Sequence, residues 1–355
     1  MINPVLRKSA FAKRLIAWYQ QHGRSTLPWQ QDQSAYSVWI SEIMLQQTQV
    51  ATVIPYFQRF MQRFPNIETL ANATLDEVLH HWTGLGYYSR ARNIHKAARL
   101  ILEKHGDFPS EFADILALPG IGRSTAGAIS AFSFSKRQAI LDGNVKRVLA
   151  RVQAISGWPG NKPVHDLLWE YADYFTPDVN VREYTQAIMD LGALICTQTK
   201  PQCEQCPFTD RCVAYQQGKP TAYPSKKPKT IKPVKKTHLL ILSDPNGQYW
   251  LQKRPPSGIW GGLYGFPEIA SLENVLDYVM DHYAIRLKSF TTLPTFRHTF
   301  THFHLDITPI IAPLSNPAAR KLAIEDAIWY NSKQPANIGL AAPVKKLLTQ
   351  LELVS

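Results

Sequence analysis

Cysteine is scarce in this chain: four occur in 355 residues, and all lie in the 17 residues from Cys196 to Cys212. None is left to pair elsewhere, so a disulfide framework spread over the chain is excluded. Long apolar runs are also missing; none approaches the roughly 20 residues that a membrane-crossing helix needs. The N-terminus places Arg7 and Lys8 ahead of Phe11, Leu15, Ile16 and Trp18, a helical spacing without the unbroken apolar segment of a signal peptide. A soluble, cytoplasmic protein with no membrane association is expected. Acidic residues are the third shortage, 27 against 39 basic ones, for a net charge of +12. That balance favours a polyanionic partner, most commonly nucleic acid. A merely basic surface stays open, because Lys226, Lys227, Lys229, Lys232, Lys235 and Lys236 alone supply half of the excess. No internal repeat is present.

A hydrophobic content of 45% over this length suffices for two cores. From residue 9 to about 215, apolar residues recur at three- and four-residue spacings between Pro and Gly punctuation, the pattern of an all-α unit. The Pro- and Lys-rich stretch Tyr223 to Lys236 has little to bury and reads as an extended, exposed linker. Strand-like runs follow at His238 to Ser243 and Tyr249 to Lys253, then a helical stretch near Leu272 to His282 and an alternating segment from Thr299 to Ile310. The expectation is an all-α domain over 1–222, a linker over 223–237 and an α+β domain over 238–355.

Cys196, Cys203, Cys206 and Cys212 are separated by six, two and five residues. So dense a set in a reducing compartment points to a metal centre. Zinc modules usually carry two short Cys pairs, and only Cys203 and Cys206 form one here; spacing alone leaves zinc and iron-sulfur open. Further upstream, Leu118-Pro119-Gly120-Ile121-Gly122 runs into Arg123-Ser124-Thr125-Ala126 as a helix end, a turn and a new helix. Gly120 and Gly122 would let backbone amides at the new N-terminus approach an anionic oxygen such as a DNA phosphate; a plain turn between core helices is the alternative. Two carboxylates stand out as well. Glu42 has Val38, Trp39 and Leu45 as helical neighbours, an apolar face that would raise its pKa and keep a proton available; the ordinary reading is a Glu reaching solvent from a helix edge. Asp142, ahead of Gly143-Asn144-Val145, would sit at a helix N-terminus whose amides keep it ionised, or serve there as a simple cap. Together the pair suits an acid and a charge stabiliser with pKa values pushed apart.

Taken in order, Leu27-Pro28-Trp29, the run Trp39 to Val50, Gly84-Leu85-Gly86-Tyr87-Tyr88-Ser89-Arg90, the hairpin, Leu141 to Val145 and the six-two-five cysteines resemble the MutY family of helix-hairpin-helix, iron-sulfur adenine DNA glycosylases, over nearly the whole chain. The resemblance implies one [4Fe-4S] cluster on the four cysteines, with Lys200 and Arg211 near DNA phosphates. It implies double-stranded DNA containing adenine opposite 8-oxoguanine or guanine as partner, and a monomeric bacterial enzyme associated with the nucleoid through that DNA. The target adenine would be flipped out of the stack, where its glycosidic bond becomes reachable. By the same resemblance Glu42 is the general acid, Asp142 stabilises an oxocarbenium-like sugar and Asn144 orients them. Leu27 and Trp29 would line the adenine pocket. Gln47, Thr48, Leu85, Gly86, Tyr87, Gly120, Gly122 and Ser124 would touch DNA. Related lyases carry a nucleophilic Lys where Ser124 stands, so a monofunctional hydrolase is expected, with Lys146 as the nearest amine. The C-terminal part resembles Nudix domains through Leu251 to Pro255 and Gly261 to Glu268, but lacks their magnesium-binding acidic run, so binding replaces hydrolysis. In it Thr301 and His302 would meet 8-oxoguanine.

Overall fold

The computed structural model describes residues 2–228, 230–273, 275–314 and 326–353. They form two compact units, Met1–Asn72 with Asn93–Lys229, and Ala73–Arg92 with Thr230–Ser355. The first is helical throughout, with α1 (Lys8–His22), α2 (Pro28–Gln31), α3 (Ala35–Leu45), α4 (Val50–Arg63) and α5 (Ile67–Asn72). After α6 (Leu75–Trp82) of the second unit, α7 (Ser89–Lys104) leads back to α8 (Phe112–Ala117), α9 (Arg123–Phe134), α10 (Gly143–Val152), α11 (Lys162–Phe175) and α12 (Val181–Asp190). A π-helical turn (Leu191–Ile195) continues α12 into the cysteine loop, which ends in α13 (Val213–Gln216).

Phe11 of α1 is the keystone of this core. Its ring stacks on Phe175 at 4.1 Å and on Phe208 at 4.3 Å, and all three are fully buried. Because Phe208 lies between Cys206 and Cys212, the cysteine loop is packed into the hydrophobic core of the unit. Elsewhere, α3 has apolar residues on nearly every side and packs against both α4 and α9. At Gly127 an added Cβ would lie 2.5 Å from Ala139 O, so only glycine lets α9 approach the extended segment that leads to Asp142.

The second unit is built on a mixed sheet. Its β1 (Val234–Ser243) lies between β2 (Tyr249–Lys253), antiparallel to it, and β7 (His304–Pro313), parallel to it in register from Val234↔His304 to Ser243↔Pro313. The short strands β3 (Tyr264–Gly265), β4 (Glu268–Ile269), β5 (Thr291–Thr292), β6 (Phe296–Thr299) and β8 (Ala327–Tyr330) complete it. Asp244 caps the β1–β2 turn, accepting from Asn246 N and Gln248 N. Helix α14 (Val275–Tyr283) covers Leu240, Leu242, Trp250 and Ile310; α15 (Ala342–Glu352) closes the chain. The helical segment 73–92 belongs to this unit through a Lys253–Asp76 ion pair at 2.8 Å and the Tyr88 hydroxyl donating to Leu340 O.

The helical first part and the α+β second part are as the sequence predicts. Two features differ. β1 begins at Val234, inside the stretch read as linker, because the side chains of Val234, Lys235 and Lys236 are solvated while their backbone pairs with β7. The start of that stretch is held too: Arg151 Nε donates to Tyr223 O at 2.9 Å, and Ser225 N donates to Gly157 O at 3.1 Å. Lys229 lies outside the described residues.

Candidate active site

A cavity of about 1010 Å³ opens in the first unit, and Leu27, Trp29, Glu42, Thr48, Ser124, Asp142 and Asn144 all line it. Sequence positions more than a hundred residues apart thus meet at one place. Glu42 enters from α3, whose Ser34 cap accepts from Ser37 N at 3.2 Å. Its carboxyl has no hydrogen-bond or ion-pair partner among the described residues. Burial, and then the charge of Asp142, push its pKa up to about 8.

Asp142 caps α10, accepting from Val145 N at 2.8 Å and from Asn144 Nδ2 at 3.1 Å. These amides favour the charged form, as expected, but they do not act alone. Burial is the largest influence and raises its pKa, against the hydrogen bonds from Val145 and Asn144 and the charge of Arg147. Both carboxylates are therefore raised, and what separates them is their donors, since Asp142 has several and Glu42 none.

Asn144 is fixed in turn. Arg147 Nη2 donates to Asn144 Oδ1 at 2.8 Å and to Gly192 O at 2.5 Å, while its Nε donates to Cys196 O at 2.6 Å. An added Cβ on Gly192 would lie 2.5 Å from Asn144 Cβ, so the π-helical turn presses directly on the residue beside Asp142. One turn along α10, the buried Arg151 donates to Cys196 Sγ at 3.3 Å, to Thr197 O and to Gln198 O. Sequence reading assigned Arg147 and Arg151 no role; their four-residue spacing put both on one face of α10 and was the available signal.

All four cysteines border one small cavity of about 20 Å³. Among the described residues no group of three or more His, Cys, Asp or Glu side chains is placed to hold a metal ion. Lys200 is exposed, and Arg211 lies 3.4 Å from Asp210, which also binds Arg14.

Ser124 is less free than its place after the hairpin suggested, for its hydroxyl accepts from Leu141 N at 2.9 Å and so holds the residue preceding Asp142. Lys146 does not line the cavity. Gly120 (φ 81°) and Gly122, the N-cap of α9, are exposed in the hairpin turn outside the cavity lining. Gln47 is exposed as well, at a left-handed φ of 59°.

Leu85, Gly86, Tyr87, Thr301 and His302 belong to the second unit. There Arg90 and Trp82 both donate to Gly86 O, and Tyr87 stands 44% exposed with φ at 48°. The segment Phe300-Thr301-His302, read as a strand or its end, is the turn between β6 and β7. It is closed by Phe300 N donating to Phe303 O, and Trp260 packs on Phe300 at 5.3 Å. Thr301 and His302 are exposed at its tip. Glu268, the carboxylate nearest the missing acidic run, is paired with Arg254 at 2.7 Å.

Comparison with known proteins agrees with this architecture. Residues 40–173 match the HhH-GPD superfamily of base excision DNA repair proteins, and residues 238–350 match the NUDIX domain. The chain superposes on a thermostable thymine-DNA glycosylase with a TM-score of 0.54 at 27% identity, over 59% of this chain and 97% of that one. An endonuclease III structure gives 0.51 at 21% identity, a likeness of fold. The adenine DNA glycosylase of Buchnera aphidicola (Acyrthosiphon pisum) is 42% identical over 97% of this chain and 98% of its own length. That of Rattus norvegicus is 32% identical over 99% of this chain and 80% of its own. The chain belongs to the adenine DNA glycosylase family of base excision repair proteins.

Proposed function

We propose that the protein hydrolyses the N-glycosidic bond of adenine mispaired with 8-oxoguanine or guanine in duplex DNA. The observation that carries this reading is the pairing, in one cavity, of a donor-free carboxylate and a donor-rich one. Adenine flipped from the stack enters between Leu27 and Trp29. Protonated Glu42 gives its proton to adenine N7, so the bond electrons leave with a neutral base. Asp142, held by Val145 and Asn144, offers negative charge to the cationic sugar. Water adds to the sugar carbon, with Glu42, now ionised, accepting its proton. Gln47 and Tyr87 fill the kinked duplex beside the lesion, while Gly120 and Gly122 offer amides to a phosphate. A base-release assay tests the whole: adenine should leave a duplex with adenine opposite 8-oxoguanine, and a thymine glycol duplex should stay intact. The reverse pattern would overturn the reading.

Ser124 supports hydrolysis without strand cleavage, since no amine stands there to form a Schiff base. Borohydride should trap little wild-type protein on its substrate. Ser124→Lys should increase trapping and, because Leu141 N loses its acceptor, slow adenine release. Strand cleavage by wild-type protein at the rate of adenine release would contradict the monofunctional assignment.

The cysteine loop would hold one [4Fe-4S] cluster. All four thiols border one cavity, and thiolates are the ligands that such a cluster takes. When bound it would be a structural cross-link; Arg151 already steadies Cys196, and Phe208 seats the loop in the core. Purified protein should be yellow-brown with about four irons per chain, and replacing any one cysteine should cost solubility before chemistry. Colourless, fully active protein with one zinc would refute this.

The exposed Thr301 and His302 supply the polar edge that distinguishes the N7 hydrogen of 8-oxoguanine from the bare acceptor of guanine. Thr301→Ala with His302→Ala should lower the preference for 8-oxoguanine about tenfold, near the worth of one hydrogen bond. An unchanged ratio of affinities for the two mispairs would reduce these residues to packing the turn.

A further inference from the structure

Asp190 ends α12, where the helix widens into the π turn, and its side chain is wholly buried. Its carboxylate is nonetheless fully engaged. Arg24 N donates to Oδ2 at 2.7 Å, Arg24 Nε and Nη2 donate to Oδ1 at 3.0 and 2.5 Å, and Gln186 Nε2 donates to Oδ1 at 3.0 Å. The main-chain bond is the informative one. It fixes a peptide in the irregular stretch between α1 and α2, where no helical ladder can do so. The other side of the same residue is held by Gln30, whose Nε2 donates to Arg24 O at 2.9 Å while its Oε1 accepts from Leu27 N at 3.0 Å. Leu27 and Trp29 lie inside this closed loop of bonds, and both line the cavity, as do Arg24, Gln30 and Gln186.

We propose that Asp190 is a positioning residue for the adenine pocket: acting through Arg24, it sets the wall formed by Leu27 and Trp29. The inference rests on the reading that this cavity receives adenine. A buried, fully satisfied carboxylate specifies one geometry, because a displaced partner leaves a charge unpaired in protein. The same residue starts the turn that presses Gly192 onto Asn144, so one helix end references both the base-binding wall and the side chain beside Asp142. Helical irregularities of this type recur at functional sites.

The test compares single-turnover release of adenine with release of unsubstituted purine, each opposite 8-oxoguanine, using the full-length protein at saturating concentration and rates corrected for active fraction. Asp190→Asn should slow adenine release on the order of 10²-fold, as expected for a reacting group misplaced by about 1 Å, and lower the adenine-to-purine ratio. Gln30→Met, which removes the shorter of two bonds to Arg24 O, the other coming from the Tyr19 hydroxyl at 3.4 Å, and leaves the buried charge paired, should shift the ratio the same way by less. It decides the matter if Asp190→Asn does not fold. A purely structural role predicts lower melting temperatures with wild-type ratios, and that outcome in every variant that folds overturns the proposal. Wild-type protein that releases no adenine would instead strike the functional reading.

Discussion

Glu42→Gln is expected to stop adenine release, by about 10²- to 10⁴-fold for the loss of a general acid, while mismatch binding persists. The amide keeps the volume of the side chain and has no proton to transfer. The pH profile gives an independent check. With its pKa pushed up to about 8, Glu42 holds its proton at neutral pH, so the wild-type single-turnover rate should fall as pH rises through about 8. On the acid side the rate falls when Asp142 takes up a proton, above the ordinary carboxylate range because its pKa is also raised. The two groups interact, so the limbs belong to the pair. Stability should move with them. A carboxyl whose pKa rises from 4.5 unfolded to about 8 folded stabilises the fold below the lower value and loses that contribution as pH climbs through the higher one. Glu42→Gln cannot ionise and should unfold at higher temperature than wild type above that pH. Near wild-type release by the variant would remove Glu42 from the chemistry.

Asp142→Asn should be nearly as damaging, on the order of 10²- to 10³-fold, the scale for removing one preorganised electrostatic partner of a transition state. The substitution exchanges a negative oxygen for an amide where positive charge develops on the sugar. Capping should suffer little, because the asparagine oxygen can still accept from Val145 N. A rate loss with a preserved melting temperature is therefore the expected signature. A parallel collapse of both would mean that Asp142 is only the cap of α10.

Much of this site was legible in the order of residues. The cysteine spacing, the two glycines of the hairpin and the carboxylates at 42 and 142 are local patterns, and local chemistry explains each. What could not be read is what depends on partners far away in the chain. Arg24 finds Asp190 across 166 positions, and no periodicity encodes that contact. The raised pKa of Asp142 was missed for a related reason: its capping amides are adjacent in sequence, whereas the walls that bury it come from remote segments. In the second unit, the lysines at the start of β1 concealed a strand, since composition reports side-chain solvation and strand pairing is made by the backbone.

Gln47 and Tyr87 share a property that bears on how such a protein can change. Each holds a left-handed backbone conformation that costs an L-residue about 1–2 kcal/mol and a glycine almost nothing. Gln47 is exposed and gains little from burial, whereas Tyr87 is 44% exposed and its ring faces the Arg90 guanidinium at 5.4 Å, which offsets part of the cost. Selection for thermal stability alone would place glycine at 47; a side chain there is the mark of selection for something other than stability. A heat-tolerance screen of this protein run without DNA should therefore enrich glycine at 47, more than at 87, and return hardier molecules that grip a damaged duplex less well.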